Sequence, residues 1–202
     1  MGLMDTIPKV FSTLCTKHIS YLAEKHGLLP LTQFGGRPGR NTTDAMLLVT
    51  HKIKDTWRKG KTAAALFLDV QGAFPNMVKE QLVHNMRMRR VPECFINIVN
   101  LSLTGCTTCL KFDDFISEPI PFNNGTTQGN PSSMLYYSFY NAPLIEVASS
   151  SDKLSPGFVN DSMMLAIGDT IEECHLKLKD MMERPGGGFE WSYTHKDRKS
   201  VV

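Results

Sequence analysis

Residues 61–74 read Lys61-Thr62-Ala63-Ala64-Ala65-Leu66-Phe67-Leu68-Asp69-Val70-Gln71-Gly72-Ala73-Phe74. The unbroken apolar run from Ala63 to Leu68, entered after Gly60 and left before Gly72, predicts a buried strand. Asp69 stands where the apolar chemistry stops. A second block, Gly157-Phe158-Val159-Asn160-Asp161-Ser162-Met163-Met164-Leu165-Ala166-Ile167, is apolar on both sides of one polar pair. That pattern predicts two short strands joined by a tight turn, with Asn160 and Asp161 at its tip. If the two strands lie side by side, the carboxylates of Asp69 and Asp161 become neighbours. Like charges so placed repel unless a cation joins them, and a hard, oxygen-seeking ion such as Mg2+ is the economical partner because it also binds phosphates.

Working outward from these blocks, helices and loops alternate. Pro8 to His26 carries Phe11, Cys15, Ile19 and Leu22 at helical spacing and ends at Gly27. A glycine-rich loop, Gln33-Phe34-Gly35-Gly36-Arg37-Pro38-Gly39-Arg40-Asn41-Thr42-Thr43-Asp44, leads through an N-cap into a helix on Ala45, Leu48, Val49, Ile53 and Trp57. That helix gathers Lys52, Lys54, Arg58, Lys59 and Lys61 toward its end, where the helix dipole favours cations in any protein. Helices are predicted over about 77–89 and after Pro92, and a hairpin from Thr107–Phe112 and Phe115–Ile120 about Asp113-Asp114. The loop 123–133 runs into an aromatic helix from Met134 to about Ala148, and a last amphipathic helix covers about 170–183. Gly186-Gly187-Gly188 and the residues beyond show no core periodicity.

The 202 residues, 42% hydrophobic and 21% charged, belong to an ordinary globular chain rather than a disordered, collagenous or disulfide-dense one. The net charge of +2 conceals an asymmetry. Residues 1–90 carry 14 Lys and Arg against 6 Asp and Glu, and residues 91–202 carry 8 against 14, so the first part suits a polyanion. No apolar run approaches a membrane span and no signal-peptide core is present, so the expectation is an intracellular protein, nuclear or cytoplasmic, not secreted and without a membrane partner. The five irregularly spaced cysteines read as reduced thiols. Cys106-x-x-Cys109 has no second pair to complete a zinc site.

The blocks Leu66 to Phe74, Gly125-Thr126-Thr127-Gln128-Gly129-Asn130-Pro131-Ser132 and Phe158-Val159-Asn160-Asp161, in this order and spacing, resemble motifs A, B and C of reverse transcriptases. The loop Gln33 to Asp44 resembles the block that precedes motif A in non-LTR (LINE-type) retrotransposon enzymes, of the kind found in fungal elements. The resemblance spans about residues 6–195. It implies an α/β (α+β) polymerase palm, a small and mostly antiparallel sheet backed by helices, plus a partial helical fingers region. The corresponding division is 1–60 for the fingers part, 61–183 for the palm and 184–202 for a poorly specified tail.

The resemblance also implies an RNA-directed DNA polymerase that adds deoxynucleotides to a DNA primer on an RNA template with Mg2+ or Mn2+. Asp69 and Asp161 would be the catalytic metal ligands, with the Val70 carbonyl assisting. Phe74 would be the aromatic gate against a ribose 2′-hydroxyl, and Gln128 and Gly129 would lie beside the incoming nucleotide. Arg37, Arg40, Lys52, Lys54, Arg58, Lys59 and Lys61 would follow the template phosphates. Two features depart from the family. Asn160 stands where the motif C pair has its first acid, and contributes an oxygen without charge. No counterpart of a basic fingers segment, thumb, endonuclease or RNase H domain is found, so the chain reads as a truncated and impaired copy. The alternative is an inactive palm remnant that binds nucleic acid nonspecifically; oligomeric state is not legible.

Overall fold

In the computed structural model, residues 6–122, 125–126, 129–148 and 150–195 are described. The central sheet runs in the order β1 (Thr62–Leu68), β8 (Asp161–Gly168), β6 (Lys153–Leu154), and β7 (Gly157–Phe158) also pairs with β8. Every pairing within it is antiparallel. Strand β8 is buried from Ser162 to Gly168 and forms the centre of the sheet. Strand β1 is an edge strand, which corrects the expectation of a buried one. Ala65 is exposed and Phe67 is 77% exposed, because nothing among the described residues covers that face at its edge. The apolar run was therefore a correct sign of a strand and a wrong sign of burial on both faces.

Helix α5 (Ser133–Ile145) is the core helix. Leu135, Tyr137, Phe139, Ala142 and Leu144 point in different directions around it and are all buried, as a helix apolar all round requires. Against it pack α3 (Lys79–Met88), through Leu82, Val83 and Met86, and α4 (Glu93–Ser102), through Ile96 and Val99. Helix α1 (Thr6–His26) adds Ile19 and Ala23 to the same core. It closes at Gly27, whose φ of 60° lets Leu28 N donate back to Ala23 O at 2.9 Å. Helix α2 (Thr42–Arg58) starts with a reciprocal capping box between Asn41 and Asp44 and packs on β1. Helix α6 (Ile171–Glu183), capped by Thr170, backs β1 and β8.

The hairpin expected after α4 is two nested ladders. Strand β2 (Cys106–Thr108) pairs with β5 (Ile120–Phe122), and β3 (Lys111–Phe112) pairs with β4 (Phe115–Ile116) around the Asp113-Asp114 turn. The C-terminal stretch departs further from its reading as a poorly specified tail. Residues Gly188–His195 form α7, with Trp191 and His195 buried against α5 and α6. Eight residues are too few to display a period, and only the tertiary fold supplies the partners of those two side chains. Residues 196–202 lie outside the described residues.

Candidate active site

Antiparallel register puts the two acids together. The β1–β8 ladder ends at Leu68↔Ser162, and the same register continued by one residue sets Asp69 opposite Asp161. Residues directly opposite share a face, with Cα atoms about 4.5–5.5 Å apart. Both aspartates are exposed. Phe158 pairs with Asp161, so β7 and β8 are joined by a tight turn as expected, but its two residues are Val159 and Asn160, and Asp161 is the first residue of β8 rather than part of the tip. Asn160 lies in that turn and Val70 directly follows Asp69, so the segments that meet here carry two carboxylates, one amide and the Val70 carbonyl. They are hard donors of the kind Mg2+ and Mn2+ accept, with one negative charge fewer than three acids would bring. No cluster of three His, Cys, Asp or Glu side chains occurs among the described residues.

Two backbone seams and one made by side chains hold the motifs to one another. Gly125 N donates to Met77 O at 2.8 Å and Thr126 N to Phe74 O at 2.9 Å, so the start of the motif B loop is laced to the turn after Asp69. A Cβ on Gly125 would lie 2.3 Å from Pro75 O, and only glycine allows that approach. The glycine-rich loop runs against β7, with Phe34 N donating to Gly157 O at 2.8 Å and Gly157 N donating to Thr32 O at 2.9 Å. On the other flank, Ser12 Oγ donates to Asn130 Oδ1 at 2.7 Å and Thr16 Oγ1 to Ser132 Oγ at 2.7 Å, tying α1 to the residues after Gly129. Gly129 itself is exposed, with φ 110°. Gln128 lies outside the described residues.

Phe74 is half-buried against Tyr137, with ring centroids 5.4 Å apart. Burial pushes the Tyr137 phenol well above its usual range, and the charges of Tyr140 and Asp69 add to the effect. Its hydroxyl is buried without a hydrogen-bond partner among the described residues.

The basic residues separate into two groups. Arg37 is only 7% exposed and spends its guanidinium internally, on both Glu24 carboxylate oxygens at 2.7 and 2.8 Å and on Pro30 O and Gln33 O. This pairing also holds the Glu24 carboxyl below its usual range. The expectation that Arg37 follows template phosphates is thereby corrected, because a charge placed in the interior needs its partners there. Arg40 donates to Leu31 O and lies over the Phe34 ring. Lys52 donates to Ser151 O, Lys59 pairs with Asp55, and Lys61 pairs with Asp169. Lys54 and Arg58 are exposed and make no ion pair among the described residues.

Comparison with known proteins bears on this arrangement. No family model matches the chain. Over 140 residues it is 26% identical to a Drosophila melanogaster protein described as "Probable RNA-directed DNA polymerase from transposon X-element", covering 69% of this chain and 15% of that one. A second Drosophila protein, described as "Probable RNA-directed DNA polymerase from transposon BS", is 22% identical over 144 residues, covering 71% and 16%. Telomerase from Candida tropicalis, solved with a fragment of telomeric RNA, superposes with a TM-score of 0.64 at 10% identity over 96% of this chain and 33% of that one. The Candida albicans telomerase gives 0.57 at 11% identity over 95% and 33%. In sequence the chain is similar to the RNA-directed DNA polymerases of these two transposons, and in fold to telomerase. It spans about one-sixth of the length of the curated relatives it matches, and those relatives come from an insect rather than a fungus. No helix among the described residues is long and apolar enough to cross a membrane.

Several residues that shape the site escaped sequence reading. Ser12, Thr16 and Ser132 are small hydroxyl residues whose meeting across more than 100 positions leaves no local mark. Asn141 sits inside an aromatic run with no periodic signal, yet it donates to Ser162 Oγ at 2.9 Å and to Val159 O at 3.4 Å behind the turn. Gln33 and Gly35 had a visible signal, a glycine-rich loop, but it pointed equally to a nucleic-acid contact.

Proposed function

We propose that this domain carries out RNA-templated DNA synthesis, with Asp69 and Asp161 at the reacting centre. The opposed register of these two acids is the observation that carries the reading. The primer 3′-oxygen attacks the α-phosphorus of a deoxynucleoside triphosphate, the new P–O bond forms as the bond to pyrophosphate breaks, and the hydroxyl proton passes to solvent water. Asp69, Asp161, the Val70 carbonyl and Asn160 would hold Mg2+ or Mn2+, which when bound supplies Lewis-acid charge to the reacting phosphate oxygens. The residues themselves fix where that positive charge stands. Phe74, backed by Tyr137, narrows the space beside the sugar, and Gln128 and Gly129 border the nucleotide. Lys54, Arg58 and Arg40 offer positive charge to the RNA template and DNA primer. Such substrates place the site of action within the cell, in nucleus or cytoplasm. By the same reading, 1–60 serves as part of the fingers and 61–183 as the palm.

Asn160 favours a second reading, a domain that binds nucleic acid with little turnover, since the neutral amide removes one charge from the centre. Primer extension on an RNA template with Mg2+ or Mn2+ separates the two. Under the first reading the natural chain extends the primer more slowly than Asn160→Asp, and both exceed Asp69→Ala. Equal rates in all three proteins would establish the second.

A further inference from the structure

Val159 holds a left-handed backbone, φ 57°, although it is β-branched and is therefore a poor occupant of that region. Such a conformation persists only where the surroundings over-determine it. Two neighbours do so. From α5, Asn141 donates to Val159 O and Ser162 Oγ. From the other side comes Gly35. A Cβ built there would lie 2.4 Å from Val159 N, 2.5 Å from Val159 Cγ2 and 3.0 Å from Phe158 C. Gly35 has no positive φ, so its backbone would suit any residue and only the space forbids one. Beneath it Gln33, fully buried, presses its Oε1 where a side chain on Gly157 would stand, and its Nε2 reaches Ser138 Oγ at 3.4 Å.

We infer that Gly35 is a positioning residue for the turn that carries the metal donors: its bare backbone seats Val159 in the left-handed conformation and so sets where Asn160 and Asp161 present their oxygens. Gln33 fixes the same seat from below. The inference rests on the proposed metal role of Asp69 and Asp161. A methyl group at residue 35 cannot be met by a side-chain shift, because the nearest atom is backbone. The turn itself moves, and Asp161 moves away from its place opposite Asp69.

Manganese binding tests this without turnover. The free Mn2+ signal is followed by electron paramagnetic resonance as the full chain is titrated, with helix content checked by circular dichroism. Asp69→Ala abolishes tight binding. Gly35→Ala weakens it by roughly 10- to 100-fold, the usual effect of losing a group that orients metal ligands, with helix content retained. Gly60→Ala, whose added Cβ meets nothing within 4 Å, strains only its own backbone at φ 69° and leaves Mn2+ affinity unchanged. Wild-type affinity in Gly35→Ala overturns the positioning role while loss in Asp69→Ala leaves the metal reading standing. No loss in Asp69→Ala overturns the metal reading itself, and the inference with it. If Gly35→Ala does not fold, Gln33→Ala decides, since it loosens the seat without a clash. Weaker binding supports the role and unchanged binding overturns it.

Discussion

Asp69 faces Asp161 across the end of the β1–β8 ladder, one step beyond the paired residues Leu68 and Ser162. The two acids come from segments 92 positions apart and meet on one face of an antiparallel pair, exposed to solvent at the sheet's end. Exposure leaves both acids in water, where a cation can reach them from solvent. Asn160, beside them, adds an oxygen without adding to the repulsion or to the attraction for metal.

Restoring an acid at Asn160 therefore acts on turnover more than on folding. Asn160→Asp raises the primer-extension rate by about 10²-fold, by comparison with the loss of one preorganised charge-stabilising group elsewhere. Thermal stability falls slightly in the absence of divalent ions and recovers when they are added. Extension rates and melting curves, each with and without Mg2+, check both parts.

Arg37 and the pair Lys54 and Arg58 should separate stability from nucleic-acid affinity. Arg37→Ala strands Glu24 and empties a buried cation site, at a cost of about 2–4 kcal/mol in urea unfolding, and Arg37→Lys does not recover it because an ammonium cannot make the forked contact. Lys54→Ala with Arg58→Ala leaves stability nearly unchanged. RNA affinity falls, and the slope of log affinity against log salt drops by about 1.4 to 1.8 if both residues meet phosphates. Binding measured from low to high salt reads this directly.

His195 makes stability depend on pH. Its ring stacks on Trp191 with centroids 4.7 Å apart, Nδ1 faces Trp191 O at 2.9 Å, and Nε2 faces Asn85 Nδ2 at 3.2 Å. Nε2 acting as acceptor requires the neutral ring. Burial pushes its pKa down from 6.5 to about 4. The unfolded chain thus binds a proton that the folded chain refuses between these values. Stability is full above about pH 6.5, declines as pH falls, and has lost about 3 kcal/mol from this group by pH 4. Glu24, Asp152 and Asp180, whose pKa values are lowered by basic partners, add losses at the acid end, so the comparison is with His195→Gln, which keeps theirs and lacks the histidine's slope.

Tyr137→Phe removes a buried hydroxyl that has no partner among the described residues while keeping the ring against Phe74. Stability rises by about 1 kcal/mol, because no hydrogen bond is lost and a desolvated polar group is removed. Tyr137→Ala, in contrast, costs about 3–5 kcal/mol by opening a cavity beneath Phe74. Chemical unfolding of the two variants distinguishes ring from hydroxyl.

Local chemistry determined much of this in the sequence alone. An apolar run followed by an acid, and a polar pair between two apolar arms, are short-range patterns, so the strand before Asp69 and the turn before Asp161 were legible. The order of the motifs in turn made the reverse transcriptase resemblance specific. Only the tertiary structure decided that β1 is an edge strand with Phe67 in solvent, that Arg37 is buried against Glu24, and that Gly188–His195 is a helix docked through Trp191 and His195. Burial and ion pairing depend on what arrives from elsewhere in the chain, and a side chain's type and local spacing do not encode it. For the site itself, the sequence paired Asp69 with Asp161 only on the condition that their strands lie side by side, and the antiparallel register of β1 and β8 meets that condition.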